Sequence, residues 1–347
     1  MKQSCQARNQ QGFSLVELMV AMGVMLIISG AVFSLMRDSL KVTVATYELT
    51  DAQEGLRSAQ ESINRDLLNT GDGLRSISTI LAAPAFVSNY ITRTPVAGSP
   101  IGILTTDNDL PAGTAVPQSS PAATIRTGTD RQTILAIDPA FVNGTGGSAV
   151  TPTAISADGG SITVLVGDLP KFTIGEIYFL TSSAGSTFGA ITSIDSANRN
   201  LIFGNGDACG LNLTGNGGYI KAISASGTLA TSLRRVKMTQ YYVTSTGLLM
   251  RRVFGVKGTA FRESAVAEHV LNVQFTYSMA TTDSTGNVVP SISPTLATSA
   301  QQLTVRQVSV KVTVETPHAL QNGSRQQLST TTSTSVRNMQ FREALQP

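Results

Sequence analysis

The carboxylate with the most unusual surroundings in this sequence is that of Glu17. It is the only ionisable side chain in residues 13–36, a run of 24 residues that is otherwise apolar or uncharged. A carboxylate inside such a segment costs about 2.5 to 3.5 kcal/mol within a membrane, and residues that carry this cost usually have a function. We therefore expect Glu17 to meet a partner group. The alternative is a tolerated polar residue whose side chain reaches the membrane surface from the first helical turn.

The other residues that could do chemistry form no recognisable catalytic or metal-binding set. The two histidines, His269 and His318, lie outside any motif, so structural roles are predicted for both. The only cysteines are Cys5 and Cys209. No internal disulfide remains if the N-terminal segment is removed, and Cys209 is predicted to be a free or buried thiol in a loop. We expect a protein that is not an enzyme and that has no cofactor and no metal.

Three further segments could bind ligands but have simpler explanations. The glycine-rich segments 204–207 and 215–218 lack the residues of a phosphate-binding loop and are predicted to be turns. Residues 107–109, Asp-Asn-Asp, lack the glycine and distal glutamate of a calcium loop and are predicted to be a solvated turn. A basic cluster is predicted to be a solvated sheet face, with a protein contact or DNA as alternatives; its members are Arg234, Arg235, Lys237, Arg251 and Arg252.

Composition favours a β-rich extracellular domain. Charged residues make up 14% of the 347-residue chain, aromatic residues 5%, and tryptophan is absent. Thr, Ser, Ala and Gly fill the middle of the sequence, as in many β-rich domains outside the cytosol. The formal net charge of +3 at pH 7 does not call for a nucleic-acid partner.

The apolar segment 13–36 predicts a single membrane-spanning helix. At about 1.5 Å per residue it is long enough for the roughly 30 Å hydrocarbon core. Residues 1–12 are polar and basic, so the positive-inside rule predicts that they stay in the cytoplasm while the C-terminal part crosses. An ordinary secretory signal is cut after its apolar stretch, whereas Gly12 precedes this one. Cleavage at Gly12 would keep the helix on the mature chain.

Residues 12–22, GFSLVELMVAM, resemble the prepilin cleavage and methylation motif of type IV pilins and type II secretion pseudopilins. The resemblance implies that residues 1–12 are a leader peptide, that a prepilin peptidase cuts after Gly12, and that Phe13 becomes the methylated N-terminus. It also implies that Glu17 pairs with the free amine of a neighbouring subunit during assembly. The implied partners are other major and minor pilins, an inner-membrane assembly platform, and membrane lipid before assembly. A simple uncleaved membrane anchor is the alternative.

The helix is predicted to continue beyond the membrane as an amphipathic half over residues 37–70. Apolar residues recur mostly every three or four positions, with charged and polar residues between them. A stop signal follows at Gly71, Asp72 and Gly73. The apolar face is predicted to pack against a globular head, and a coiled-coil partner helix is the competing explanation. This face comprises Leu40, Val44, Tyr47, Ala52, Leu56, Ala59, Ile63 and Leu67.

The head, residues 71–347, is predicted to be β-rich and mainly antiparallel. Residues 82–160 are dense in Pro, Gly, Ala, Ser and Thr, which predicts loops around a few strands. Alternation is clearest at Leu271, Val273, Phe275 and Tyr277, and again at Val308, Val310, Val312 and Val314. A hairpin is predicted at 242–248, with Gly247 adopting positive φ. The predicted strands are 161–166, 172–181, 190–194, 201–203, 235–244, 248–254, 270–277 and 303–315.

Several head segments resemble PilW-type minor pilins and, less closely, J-type minor pseudopilins of type II secretion. They are residues 172–180, the 241–252 hairpin, the strand 271–277 and residues 334–338. The overall expectation is an α+β fold acting as a non-catalytic minor pilin that helps to initiate or tip type IV pili. Alternatives are a type II secretion pseudopilin and a membrane-anchored binding protein for DNA or surfaces. We expect residence in the inner membrane with a periplasmic head, then in a pilus or pseudopilus.

Overall fold

A computed structural model describes most of the chain. The described residues are 14–74, 80–92, 100–119, 121–141, 149–213, 219–224, 232–256, 259–296, 299–319 and 323–340. Within them the fold is α+β, as predicted: one long helix precedes a β-rich, mostly antiparallel region. That region, after residue 70, is called the head below.

The long helix α1 runs from Leu15 to Leu68, 54 residues and therefore about 80 Å. Its interior has no proline, and it ends at the C-cap Asn69. Gly71 and Gly73 then adopt φ values of 74° and 68°, which only glycine reaches without strain, so the stop signal works as predicted. Thr43, Thr46 and Thr50 each donate their hydroxyl to the carbonyl four residues earlier, at 2.8 to 2.9 Å.

Among the described residues, the remaining elements are short helices and 17 strands. The α-helices are α2 (Pro84–Phe86), α3 (Tyr219–Ser224), α4 (Ser299–Thr304) and α5 (Arg337–Gln340), and there is also a π-helix (Val87–Ile91) and a 3-10 helix (Leu169–Lys171). The strands are β1 (Ile80–Leu81), β2 (Pro100–Ile101), β3 (Leu104–Asp107), β4 (Arg131–Ile137), β5 (Ala154–Ile155), β6 (Ser161–Thr163), β7 (Ile177–Ser182), β8 (Gly185–Ala190), β9 (Ser193–Asp195), β10 (Asn200–Ile202), β11 (Ser232–Val243), β12 (Leu249–Phe254), β13 (Phe261–Ala267), β14 (Val270–Thr282), β15 (Val288–Ser293), β16 (Val305–Glu315) and β17 (Gln327–Ser335).

These strands form three sheets. The largest has the order β13-β12-β11-β7-β8-β1-β2, with β4 on β11 and β3 on β4. Its longest strand, β11, pairs with β7 near one end and with β4 and β12 along the rest. Among the described strands, β1 and β8 pair in parallel and the other pairs are antiparallel. The other sheets have the orders β5-β6-β10-β9 and β15-β14-β16-β17.

The helix α1 packs on the head through its second half only. Helix α1 contacts β13, β16 and β17. The inward-facing side chains are buried in the main core of the head: Ala52, Leu56, Ala59, Ile63 and Leu67. Leu40, Val44 and Tyr47 were predicted on the same packed face, and that prediction is wrong. They are exposed at 57%, 56% and 73%, because the strands that cover the helix do not extend to this level.

The two alternating segments pair with each other across the third sheet. Val308, Val310, Val312 and Val314 are all buried on β16, as predicted. On β14, Val273, Phe275 and Tyr277 are buried, but Leu271 is only half-buried. The pairing register shifts between Val270 and Asn272, so Leu271 lies in a bulge and Val270 takes the inward position.

Other predicted strands differ at their ends. Residues 172–181 contribute β7 only from Ile177, because Gly175 turns the backbone with φ 83°. The segment 190–194 is divided between β8 and β9, which belong to different sheets. Residues 303–304 belong to α4 rather than to β16. The 242–248 hairpin joins β11 to β12 as predicted, with Gly247 at φ 85°.

Candidate functional site: the N-terminal helix and its junction with the head

The N-terminal site begins at the first turn of α1. Gly12 and Phe13 lie outside the described residues. Ser14 is the N-cap residue, with an extended backbone (φ −69°, ψ 142°), and the helix starts at Leu15. The predicted site residue Glu17 therefore lies in the first turn, next to the chain segment that would be cut.

The carboxylate of Glu17 has a partner inside its own helix. The backbone N–H of Ser14 donates to Oε2 of Glu17 over 3.3 Å, which is one arm of a capping box. A capping box satisfies amide donors that the first turn would otherwise leave open, and the acid also suits the positive end of the helix dipole. Sequence reasoning missed Ser14. The spacing Ser-x-x-Glu before an apolar run is the signal that would have found it.

Large apolar side chains that are mostly exposed cover the first half of α1. They include Leu15, Met19, Met25, Leu26, Ile27, Phe33 and Leu35, each at least 66% exposed. By length and composition this helix is able to cross a membrane, and none of its most apolar stretch is buried within the chain. Exposed apolar surface of this extent indicates contact with lipid or with other protein chains.

A buried polar cluster joins the second half of α1 to the head. Asp66, only 4% exposed, accepts hydrogen bonds from the Tyr241 hydroxyl at 2.7 Å and from Nε of Arg251 at 2.6 Å. The ammonium of Lys237 lies 3.7 Å away, and the Tyr241 hydroxyl also bonds to Ser62. Burial alone would raise the pKa of Asp66, but the hydrogen bonds and charge of Arg251, with Tyr241, outweigh it and lower that pKa.

A second junction lies nearer the apolar half. Nδ1 of His318 is 2.7 Å from Oε1 of Glu48, and the His318 backbone N–H donates to Oε2 of Glu48. Burial acts to raise the pKa of Glu48, but these interactions with His318 lower it. His318 thus connects the segment after β16 to α1. His269, with φ 54°, lies in the turn before β14, where its carbonyl accepts the amide of Glu315.

The basic cluster is not a solvated sheet face, so this prediction is wrong. Arg251 pairs with Asp66, and Arg235 pairs with Asp138 and Glu176. Arg252 is fully buried: it pairs with Glu263 and lies 3.9 Å from the ring centroid of Phe261. Arg234 donates to the carbonyl of Gly73. Alternation along one strand cannot reveal these partners, because the acids lie on other elements and most of them are distant in the sequence.

The remaining candidates have structural surroundings. Cys209 is a buried free thiol, as predicted; burial, with the nearby Asp207 carboxylate, raises its pKa to about 12, so the reactive thiolate is disfavoured. Asp207 itself accepts three backbone amides of the 207–212 turn. Asp107 was predicted in a solvated turn, but it is buried and paired with Arg131 at 2.9 Å. The segment 215–218 lies outside the described residues.

In the described part of the chain, no group of three or more His, Cys, Asp or Glu side chains is arranged to hold a metal ion. Comparison with known proteins gives one match. Residues 7–33 match the model of the prokaryotic N-terminal methylation motif. No curated protein and no solved structure matches the chain.

The matched residues 7–33 include Gly12, Ser14, Glu17 and much of the exposed apolar half of α1. Proteins with this motif are structural subunits of pili and are generally not catalytic. The match therefore agrees with the geometry, in which an uncovered apolar helix carries an acid in its first turn. The motif, the apolar helix and the β-rich region after it fit a membrane-anchored protein of the type IV pilin-like kind.

Proposed function

We propose that the chain is a minor pilin, a non-catalytic subunit that helps to initiate type IV pili or forms their tip. In this proposal the prepilin peptidase cuts after Gly12 and methylates Phe13. The subunit then waits in the inner membrane with its head in the periplasm. An assembly platform moves it from the membrane into a filament with other pilins.

The observation that carries the proposal is the uncovered apolar half of α1. This surface needs an apolar environment in both states of the subunit, first lipid and then the helices of its neighbours. The head leaves it free, because α1 is buried only from Ala52 onward. A continuous helix from Leu15 to Leu68 can thus enter a bundle of helices while the head remains outside.

In the proposed assembly step, Glu17 pairs with a neighbouring subunit and sets its position. In the single chain its carboxylate accepts the Ser14 amide, an interaction that satisfies part of its hydrogen-bonding capacity. In a filament the same carboxylate would pair with the N-terminal amine of a neighbouring subunit, which neutralises both charges in an apolar environment. The pairing would also fix the axial position of one helix relative to the next.

Mass spectrometry of the mature N-terminus tests the processing step. We expect a chain that begins at methylated Phe13 in cells with an active prepilin peptidase. A chain that retains Met1 in those cells would contradict the pilin proposal and favour a simple uncleaved anchor.

Two substitutions separate the assembly role of Glu17 from its capping role. Glu17→Gln keeps an oxygen that can accept the Ser14 amide but removes the charge, whereas Glu17→Ala removes both. We expect both variants to insert into the membrane and both to fail in filament incorporation. If Glu17→Gln is incorporated normally, the charge pairing is wrong and capping is the role that remains.

Filament composition distinguishes a pilus from a secretion pseudopilus, because the N-terminal motif is common to both kinds of subunit. Recovery of the protein in sheared surface filaments supports the pilus. Loss of exoprotein release on deletion of the gene, with normal surface filaments, supports a type II secretion pseudopilin. Binding of DNA or of a surface by the head without any filament would instead support an anchored binding protein. The internal pairing of Arg235, Arg251 and Arg252 does not favour DNA.

A further inference from the structure

An open groove lies where the exposed half of α1 meets the edge of the head that is nearest to it. One wall is a face of α1, and the other is the segment that follows β16. The cavity volume is about 520 Å³. Its lining residues are Arg37, Leu40, Lys41, Val44, Ala45, Glu48, His318 and Ala319.

The groove combines two cations with apolar side chains. Arg37 and Lys41 are one helical turn apart and therefore lie on the same side of α1. Lys41 makes an ion pair with Asp38 at 3.2 Å, but both side chains are substantially exposed, so this pair neutralises the site weakly. The acid in the groove, Glu48, is held by His318. The cationic end of the groove is the end nearer the apolar half of α1.

The position of the cations along α1 matches a membrane surface. Residues 15–36 form about 33 Å of helix, close to the roughly 30 Å hydrocarbon core. Arg37 follows directly, so Arg37 and Lys41 come to the level of the lipid phosphates on the periplasmic side. His318 contacts Glu48, about 11 Å further along α1 than Lys41, so the wall formed by the head lies on the periplasmic side of the cations.

We propose that this groove binds one anionic phospholipid of the periplasmic leaflet, a proposal that rests on the membrane placement in the proposed function. The phosphate lies between Arg37 and Lys41. The rest of the headgroup lies against Leu40 and Val44, with the polar atoms of Glu48 and His318 at the far end. The acyl chains of such a lipid lie in the bilayer beside the exposed apolar side chains of residues 15–36. A membrane lipid is thereby held at the level of the two cations, whereas a free anion has no such apolar contact.

Native mass spectrometry of the full chain in phosphatidylcholine-containing micelles tests the proposal. On addition of phosphatidylglycerol we expect one molecule retained per chain. In the double variant Arg37→Gln, Lys41→Gln the dissociation constant should rise about 25-fold, which is about fivefold for each cation at a membrane surface. The matched control Arg57→Gln, Arg65→Gln removes two exposed cations from the same helix and should leave binding unchanged.

A third variant tests the groove rather than the charge. Ala45→Phe places a large ring in the groove without changing any charge. We expect this variant to retain less phosphatidylglycerol while circular dichroism shows an intact fold. Equal binding by the wild type and the Arg37, Lys41 double variant would overturn the proposal. Inorganic phosphate that competes fully with the lipid would also overturn it, because the site would then be a simple anion site.

Two assays in cells separate this proposal from the proposed function. If the double variant keeps phosphatidylglycerol but fails in filament incorporation, the groove contacts a neighbouring subunit and the lipid proposal is wrong. If phosphatidylglycerol binding is absent while Phe13 is methylated and incorporation is normal, only the groove proposal fails. If a chain that keeps Met1 in the cell still retains the lipid, the result would support the lipid proposal and contradict the pilin proposal.

Discussion

The two halves of α1 have the same backbone structure and opposite surroundings. Before about residue 48 the apolar side chains are large and exposed on all sides of the helix. From Ala52 to Leu67 they form one stripe, include the small residues Ala52 and Ala59, and are buried against the strands of the head. Small side chains in that stripe let the sheet approach closely, whereas the first half has no such partner within the chain.

This difference shows how one helix can belong to two environments. Polar residues flank the apolar stripe in the second half, which fixes the single face that the head can cover. Residues 15–36 have no polar face, so their apolar side chains on every side of the helix need either lipid or several packed helices around them. The following predictions compare the two halves and the head that covers one of them, from the largest expected effect to the smallest.

The largest difference should come from the same truncation in each half. Ile63 is fully buried beneath the head, whereas Ile27 is 75% exposed. Ile63→Ala should lower the free energy of unfolding of the head by about 3 to 4 kcal/mol, since it removes buried methylenes and leaves a cavity. Ile27→Ala should leave it unchanged. Urea denaturation of the full chain in detergent, followed by circular dichroism, measures both.

Equal destabilisation by the two alanine variants would contradict the division of α1. It would mean that the first half of the helix packs against the head and stabilises it. The melting temperature of Ile27→Ala without detergent, compared with that of the wild type, would then check this packing directly.

Arg251→Met should have the next largest effect. It leaves the buried Asp66 carboxylate without its closest cation, and we expect a loss of about 2 to 3 kcal/mol at pH 7. The pKa of Asp66 is lowered in the folded protein from its ordinary value of 3.8, so its contribution is complete above that value. It is lost as the pH falls through the lower folded-state pKa. Unfolding measured between pH 5 and pH 2 should therefore show a steep acid dependence that Arg251→Met weakens.

Asp130 should give the head a pH dependence of opposite sign. It is buried, with Asp109 and Asp107 nearby, and burial raises its pKa to about 6, although the amides of Asp109 and Phe275 donate to it. The folded state then holds a proton that the unfolded state releases above about pH 4. Stability should fall by about 1 to 2 kcal/mol as the pH rises from 4 to 6. In a series of denaturation curves between pH 4 and 6, Asp130→Asn should reduce this dependence of stability on pH. An unchanged dependence would mean that another group causes it.

The smallest effect should come from the ion pair in the exposed half. Asp38 and Lys41 lie 3.2 Å apart on the surface of α1, with side chains 63% and 40% exposed. Because water screens such a pair, Asp38→Asn should change the unfolding free energy by less than about 0.5 kcal/mol. Comparison with Arg251→Met in the same denaturation assay sets this exposed pair against the buried Asp66–Arg251 pair, which joins the same helix to β12. A similar loss of unfolding free energy in both variants would mean that burial does not determine how much an ion pair contributes to stability.

Sequence patterns were sufficient wherever the determining residues are close together in the chain. The helix and its glycine stop, the alternation on β16 and the hairpin after β11 depend on local spacing. The exposure of Leu40, Val44 and Tyr47 depends on how far the head extends, and no local pattern contains that information. The Leu271 bulge and the Asp66–Arg251 pair also require partners far away in the sequence. In the N-terminal site, Glu17 stood out by its charge, whereas Ser14 was overlooked despite its regular spacing.

The hydroxyl bonds of Thr43, Thr46 and Thr50 give α1 a mechanical property. Each adds a second donor to a carbonyl that already closes a helical turn, which weakens the turn and favours bending. The segment lies between the packed half and the exposed half of α1, so a bend there would move the whole exposed half relative to the head. A bend of about 10° at Thr46 displaces Ser14, roughly 48 Å away, by about 8 Å. That is close to the distance between the axes of two packed helices, so in the proposed filament a small bend would be enough to move the N-terminal end of α1 from one neighbouring helix to the next.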